Sequence, residues 1–268
     1  MDIPFSRWYA AIFKRRSRRN FEQRPVESYL LSHLQKVCEE FRPFKQARSV
    51  LLTHSADEVF KGAIGHYGKV KGAPAFIAFI GDMDDPNIHE KVGHTGEAII
   101  LEATALNLDT CWVGGFFHPQ VAATIVGAGE NERVLAVTPI GHARKDWSLE
   151  EKIMTAFGRK HQRKPLTELV TGLEETKWTF WIRPSLEAAR LAPSALNRQP
   201  WRFHVEPDSI TISVDNLKNT FNISKRLDCG IAMLHIEVAS LNSGVKGRWE
   251  LLEPPKVGRF QQVGLLFF

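Results

Sequence analysis

Residues 12–21 read I-F-K-R-R-S-R-R-N-F, a run in which basic side chains surround a single serine. Arg15, Ser17 and Arg19 stand two residues apart, directly after a segment whose apolar pattern predicts a helix. Guanidinium groups combine charge with a planar fork of donors, and a serine hydroxyl adds a hydrogen bond at close range. The stretch therefore suits one phosphate and one further anionic edge. By itself it equally suits a nuclear-localisation or RNA-binding signal.

The net charge of +5 is concentrated around this stretch. Residues 1–24 contain seven basic and two acidic side chains, whereas the other 244 residues contain 28 of each. A nucleic-acid-binding protein usually spreads its basic groups over a whole face. One short cluster suits a compact anionic ligand better, although a solvated basic helix end would have the same composition.

The remaining composition is that of an ordinary globular chain. With 268 residues, 43% of them hydrophobic and 24% charged, it fits one large or two modest domains and excludes disorder and collagen-like repeats. Its longest apolar run, residues 73–80, is too short to span a bilayer. The N-terminus lacks the apolar core of a signal peptide, and the three cysteines have no metal-binding spacing. We therefore expect a cytoplasmic protein that binds neither a membrane nor a metal.

The apolar patterns predict two successive units of helices and strands. Glu102, Leu106 and Asn107 recur 135 residues later as Glu237, Leu241 and Asn242, which indicates a duplication together with the order of the elements. The main expected elements are long helices at 89–106 and 229–241, and strands at 75–80, 134–140, 201–205, 210–214, 249–252 and 263–268.

Several familiar motifs fail on their spacing. His89 and His94 suggest a zinc-binding helix, but five residues rotate a helix by about 500° and leave the two side chains on different faces, so we expect surface positions. The acidic residues within 82–85 are expected to form a solvated helix cap. Neither a GxSxG elbow nor a GxGxxG turn is present, which removes the simplest hydrolase and Rossmann interpretations.

A second polar segment, residues 191–203, reads L-A-P-S-A-L-N-R-Q-P-W-R-F. Two prolines enclose a loop that carries Ser194, Asn197 and Gln199 between a predicted helix and a predicted strand. An ordinary turn rich in polar residues would look the same.

Together these segments resemble the FMN-dependent nitroreductase family, in which an R-x-S-x-R segment grips the flavin phosphate and a P-S-x-x-N-x-Q-P-W loop covers the ring. The resemblance extends to W-V-G-G-F at 112–116, K-G-A-P at 71–74, P-I-G at 139–141 and R-K-P-L at 163–166. It implies an α+β fold with a mostly antiparallel central sheet flanked by helices.

One departure from the family is informative. In ordinary members the P-S-x-x-N-x-Q-P-W loop follows soon after R-x-S-x-R and reaches the flavin of the partner subunit. Here it comes about 175 residues later, and residues 42–48 stand in its usual place. The chain thus resembles the subgroup of tandem-duplicated, single-chain pseudo-dimers. That resemblance implies a nitroreductase-like half at 1–170, a shorter degenerate half at 171–268, one flavin site shared between them, and a monomer.

The resemblance also implies a function. FMN would accept hydride from NADH or NADPH and pass it to a nitroaromatic, a quinone or a similar small acceptor, with no catalytic side chain required. Arg15, Ser17 and Arg163 would bind the phosphate, and Arg19 would face the N1–C2=O edge of the flavin. The implied cofactor-binding residues are Arg15, Arg16, Ser17, Arg19, Trp112, Gly114, Gly115, Arg163, Pro193, Ser194, Asn197 and Gln199.

Two other functions remain open at this point. The same scaffold could carry a different flavin reaction, such as reductive dehalogenation or flavin fragmentation. A nucleic-acid-binding protein using residues 14–19 is the less favoured alternative.

Overall fold

The computed structural model describes residues 1–53, 57–60, 70–146, 162–218 and 223–265. Its helices are α1 (Phe5–Lys14), α2 (Ser28–Glu40), α3 (Asp57–Phe60), α4 (Ile88–Ala105), α5 (Pro119–Val126), α6 (Leu166–Leu169), α7 (Ile182–Arg190) and α8 (Lys225–Asn242). Its strands are β1 (Ala47–Leu52), β2 (Ala75–Asp82), β3 (Asp109–Thr110), β4 (Glu132–Gly141), β5 (Val170–Gly172), β6 (Trp201–Glu206), β7 (Ser209–Val214), β8 (Val245–Leu251) and β9 (Lys256–Leu265).

The strands form two sheets with the same internal order. The first sheet runs β1-β2-β4-β3, and all its pairs are antiparallel. The second runs β5-β6-β7-β9-β8, and its last four strands, also antiparallel, repeat the order of the first sheet. The mostly antiparallel α+β fold is confirmed, and the repeated strand order makes the duplication visible.

Strand β5 is the one element of the second sheet without a counterpart in the first. It pairs in parallel with β6, from Val170 opposite Phe203 to Gly172 opposite Val205. The predicted boundary after residue 170 therefore falls within β5, and the chain just before it already lies against the second sheet. The division into 1–170 and 171–268 stays a prediction for the sequence halves.

The two long helices, α4 and α8, form the centre of the molecule. Both are buried along most of their length, and α1 packs against both. At Gly93 of α4 an added Cβ would collide with the carbonyl oxygen of Leu227, and at Gly230 of α8 it would collide with that of Glu90. The helices thus approach backbone to backbone, which requires glycine at both positions.

The surface positions expected for the His89–His94 stretch are wrong. Glu90 is fully buried and His94 is 2% exposed, because α8 covers this side of α4. Glu90 is bonded to Arg226, and His94 accepts or donates a 2.8 Å hydrogen bond with Glu237. A helix with apolar neighbours on every side does not reveal which of its polar residues a second helix will cover.

The last two strands also differ from expectation. The strand predicted at 249–252 begins four residues earlier as β8, and the one predicted at 263–268 is β9, from Lys256 to Leu265. Residues 266–268 lie outside the described part of the chain. Strand β8 is at the sheet edge and alternates exposed charges with half-buried residues, so its apolar signal is weak. Among the described helices, none has the length and apolar character needed to cross a bilayer.

Candidate functional site

The segment that follows α1 is extended and held between two parts of the first half. Ser17 pairs with Thr110 at the end of β3, and the Arg18 amide donates to the Thr110 carbonyl at 2.9 Å. Further on, the Lys71 amide donates to the Arg19 carbonyl, and the Phe21 amide donates to that of Lys71, both at 2.9 Å. Because successive side chains of an extended segment point to opposite sides, Arg15, Ser17 and Arg19 share one face.

Arg15 is the buried member of this face. It is only 8% exposed, and its Nη1 lies 3.5 Å from the Ser17 hydroxyl. Burial lowers the pKa of its guanidinium, while the nearby Glu97 carboxylate acts in the opposite direction. A buried arginine is costly unless an anion compensates it, so this position suits a negatively charged ligand.

Arg163, which precedes α6, brings a second cation to the same place. Its Nη1 donates to Asn197 Oδ1 at 2.8 Å, and its Nη2 donates to the Leu191 carbonyl at 2.9 Å. Burial, followed by repulsion from Arg15, Arg190 and Arg16, lowers the pKa of Arg163 to about 10. The two halves of the chain thus contribute mutually repelling arginines to one region.

The polar loop of the second half is tightly organised. Ser194 Oγ accepts from the Gln199 amide at 3.0 Å, and Gln199 Oε1 accepts from the Lys164 amide at 2.8 Å. Leu196, Asn197 and Gln199 have φ values of 53°, 55° and 49°, in the left-handed region that costs energy for side chains other than glycine. Such strain is retained only where the surroundings impose it, and it is common at binding sites.

Asp228, in the first turn of α8, fixes this loop from below. Its Oδ1 accepts from the Ala195 amide at 3.1 Å and its Oδ2 from Arg198 Nε at 2.6 Å. Arg198 also donates to the Ile223 carbonyl at 3.1 Å. Pro193 is buried where the loop begins. The loop is therefore anchored to the second long helix.

The W-V-G-G-F segment lies on the first-half side. The Trp112 ring packs on Phe79 with centroids 4.6 Å apart, and its Nε1 donates to Glu97 Oε2 at 2.6 Å. A Cβ at Gly114 would lie 3.3 Å from the Ile223 side chain, whereas Gly115 is exposed. Ile223 is held by Arg198 of the second-half loop, so the two segments meet there.

Arg16 is oriented by the end of α1. Its Nη1 donates to the Phe13 carbonyl at 3.0 Å and the Arg15 carbonyl at 2.8 Å. With Lys14, Arg18 and other residues it lines a cavity of about 250 Å³ at the C-terminal ends of α1 and α4. Basic groups there complement the helix dipoles, so a direct role of Arg16 in cofactor binding stays a prediction.

Sequence reasoning missed the residues that connect these parts. Glu97, Asp228 and His235 are all buried on the long helices, and Arg198 and Arg190 complete the charged surroundings. The available signal was an ionisable residue inside a long apolar helix, which needs a partner wherever it is buried.

Comparison with known proteins gives the chain its family. The sequence model of the family described as "Putative TM nitroreductase" matches residues 7–240, most of the chain. The chain belongs to this nitroreductase family. No curated protein matches it.

Solved structures agree with this assignment at the level of the fold. A "putative nitroreductase" from Thermotoga maritima MSB8 is 19% identical with a TM-score of 0.64, and the match covers 95% of this nitroreductase and 93% of that chain. A nitroreductase family protein from Clostridium difficile 630 is 21% identical with a TM-score of 0.44, covering 60% and 94%. A nitroreductase with bound FMN from Bacteroides fragilis NCTC 9343 is 15% identical with a TM-score of 0.43, covering 53% and 91%.

Proposed function

We propose that this chain binds FMN between its two halves and uses it as an NAD(P)H oxidoreductase. The acceptor would be a small oxidant such as a nitroaromatic or a quinone. Membership of the nitroreductase family supports oxidoreductase chemistry in general. The observation that carries the cofactor assignment is the pair of buried, mutually repelling arginines, Arg15 and Arg163, supplied by different halves.

The charge around these arginines fits a phosphate. Arg16 and Arg190 add to the positive potential at Arg163, and the nearby Glu97 compensates only part of it. A phosphate dianion would offset the remaining charge and accept charge-assisted hydrogen bonds from the two guanidinium groups and Ser17. These are the residues that would hold the FMN phosphate.

The ring would lie between the two walls of the site. We assign the first wall to Trp112, Gly114 and Gly115, whose glycines leave space beside the ring. The second wall is the loop with Pro193, Ser194, Asn197 and Gln199, which its internal hydrogen bonds hold in shape. Arg19 would stabilise negative charge at the N1–C2=O edge. Bound FMN supplies hydride acceptance from the nicotinamide and hydride delivery to the acceptor.

The direct test is the visible spectrum of the protein purified with excess FMN. We expect flavin absorbance that bleaches anaerobically with NADH or NADPH and returns when a nitroaromatic or quinone is added. Colourless protein would refute the cofactor assignment. Bound flavin that neither nicotinamide reduces would refute the NAD(P)H reaction and favour a different flavin chemistry on this scaffold.

Arg15→Ala tests the phosphate site itself. Loss of a charge-assisted hydrogen bond worth about 1.5–3 kcal/mol should weaken FMN binding roughly tenfold or more. Binding of riboflavin, which lacks the phosphate, should change much less. The matched control is Arg248→Ala, which removes an exposed arginine of the edge strand β8. Equal losses for FMN and riboflavin would contradict a phosphate contact.

A further inference from the structure

Two histidine–glutamate pairs join α4 to α8, and one of them lies beside the proposed flavin site. His94 of α4 meets Glu237 of α8 at 2.8 Å, and Glu97 of α4 meets His235 of α8 at 2.9 Å. The two partners of the second pair are both completely buried. The same Glu97 carboxylate accepts the indole N–H of Trp112 and lies close enough to Arg15 to affect its pKa.

The proton positions of this pair follow from its partners. His235 Nδ1 lies 2.8 Å from the Ala188 carbonyl, which can only accept, so Nδ1 carries a hydrogen. One further proton must lie between His235 Nε2 and Glu97 Oε1, on either atom. The pair is neutral overall in both cases. Glutamine at position 97 could keep every hydrogen bond, with its carbonyl accepting from Trp112 and its amide donating to a neutral His235.

Hydrogen bonds lead from this pair to both walls of the site. On one side Glu97 holds Trp112, which begins the W-V-G-G-F segment. On the other side His235 holds α7 through Ala188, and the residue that follows α7, Leu191, accepts from Arg163. Arg163 in turn binds Asn197 of the polar loop. The pair is therefore the buried link between the first-half wall and the second-half wall.

We propose that Glu97 and His235 are positioning residues that set the spacing between the two walls of the flavin site. The proposal rests on the proposed function, because the walls matter only if FMN binds between them. A flavin needs both walls at a fixed separation, and a chain of short hydrogen bonds between buried groups holds such a separation better than apolar contact alone.

The chain contains a matched control in Glu102, on the same helix. Glu102 is also completely buried, and it also accepts from an indole, Trp8 Nε1 at 2.6 Å, and meets a histidine, His33, at 2.5 Å. Its partners belong to α1 and α2 rather than to the site. Substitutions at Glu97 and Glu102 therefore remove equivalent interactions in different places.

The experiment compares FMN affinity in Glu97→Ala, Glu97→Gln and Glu102→Ala. We expect Glu97→Ala to raise the Kd for FMN about tenfold or more, Glu97→Gln to stay within about threefold of wild type, and Glu102→Ala to leave the Kd of the folded protein within about threefold even though its Tm falls. If Glu97→Ala binds FMN as Glu102→Ala does, the positioning role is refuted and the proposed function stands. If wild type binds no FMN, both are refuted.

A second readout needs no flavin. In cofactor-free protein the Trp112 indole N–H resonance, assigned with Trp112→Phe, should move in Glu97→Ala and in His235→Gln, although His235 does not bond to Trp112 directly. Glu102→Ala should move the Trp8 indole resonance instead. A Trp112 resonance that ignores the His235 substitution would overturn the linkage through Glu97.

Discussion

At the scale of single residues, burial and partner geometry decide what each ionisable group does. Asp228 is 2% exposed, and burial is the largest cause that raises its pKa, to about 6. Arg198 and the Ala195 amide act against this shift by stabilising the carboxylate. The same two contacts hold the polar loop to α8, so the ionised acid organises the loop at a cost in stability.

This cost predicts a pH dependence of folding. An unfolded Asp titrates near 3.8, so between about pH 4 and pH 6 the folded protein binds the proton more tightly than the unfolded chain. The contribution of Asp228 to the free energy of unfolding is therefore fully present at low pH and is lost as the pH rises through about 6. We expect this loss to be on the order of 2–3 kcal/mol.

Denaturant titrations of wild type and Asp228→Asn at several pH values would measure the effect. Asparagine does not titrate, so the difference between the two proteins isolates Asp228 from the other groups. Stability of wild type relative to Asp228→Asn should fall from pH 4 to pH 7. A difference that stays constant or rises over this range would contradict the assignment.

At the scale of elements, the crossing of α4 and α8 controls how the halves meet. Gly93 and Gly230 let the two backbones touch, and the Glu97–His235 pair lies about one turn further along both helices. Hydrogen bonds of normal length between those side chains depend on this close approach. The glycines thus belong to the same device as the buried pair.

Gly93→Ala and Gly230→Ala should each destabilise the protein. Each methyl group would meet a backbone carbonyl, which cannot move aside as a flexible side chain can. We expect a loss of about 1–3 kcal/mol or more in the free energy of unfolding, measured by denaturant or thermal unfolding.

Gly264→Ala in β9 is the control for these substitutions, because no heavy atom lies within 4 Å of its added Cβ. It should be neutral or slightly stabilising, since alanine loses less backbone entropy on folding than glycine. Equal effects at all three glycines would show that the close approach of the helices is not what requires Gly93 and Gly230.

At the scale of the whole molecule, the two halves are alike in topology and unlike in chemistry. Both sheets share one strand order, yet residues 172–183 carry no R-x-S-x-R and residues 42–48 carry no P-S-x-x-N. The pseudo-symmetric counterpart of the proposed site therefore lacks both of its walls. The complete combination of Arg15, Trp112, Arg163 and the 193–200 loop occurs once.

This asymmetry predicts one FMN per chain and a protein that is a monomer in solution. A second subunit is not needed, because the second half already supplies the wall that a partner would provide. Light scattering combined with flavin absorbance measures both quantities on the intact chain. Two flavins per chain would contradict the single site, and a stable dimer would contradict the monomer.

Local signals in the sequence were enough for the family, the fold class and most elements. The long apolar helices, the central strands and the 201–214 hairpin follow from periodicity, and the short motifs at 15–19, 112–116 and 193–201 point to the site. These features depend on residues close together in the chain, where composition and spacing are sufficient. The partial exception is β8, whose exposed edge position weakens its pattern.

Only the tertiary structure decided which distant residues meet. The contacts of Glu97 with His235 and of Arg163 with Asn197, the burial of His94 and the pairing of β5 with the second sheet all depend on how α4 docks on α8 and how the tail crosses between halves. The sequence marks such residues as ionisable groups in apolar surroundings. Their partners are determined by packing, because any acid and base of suitable length can pair until the helices are brought together.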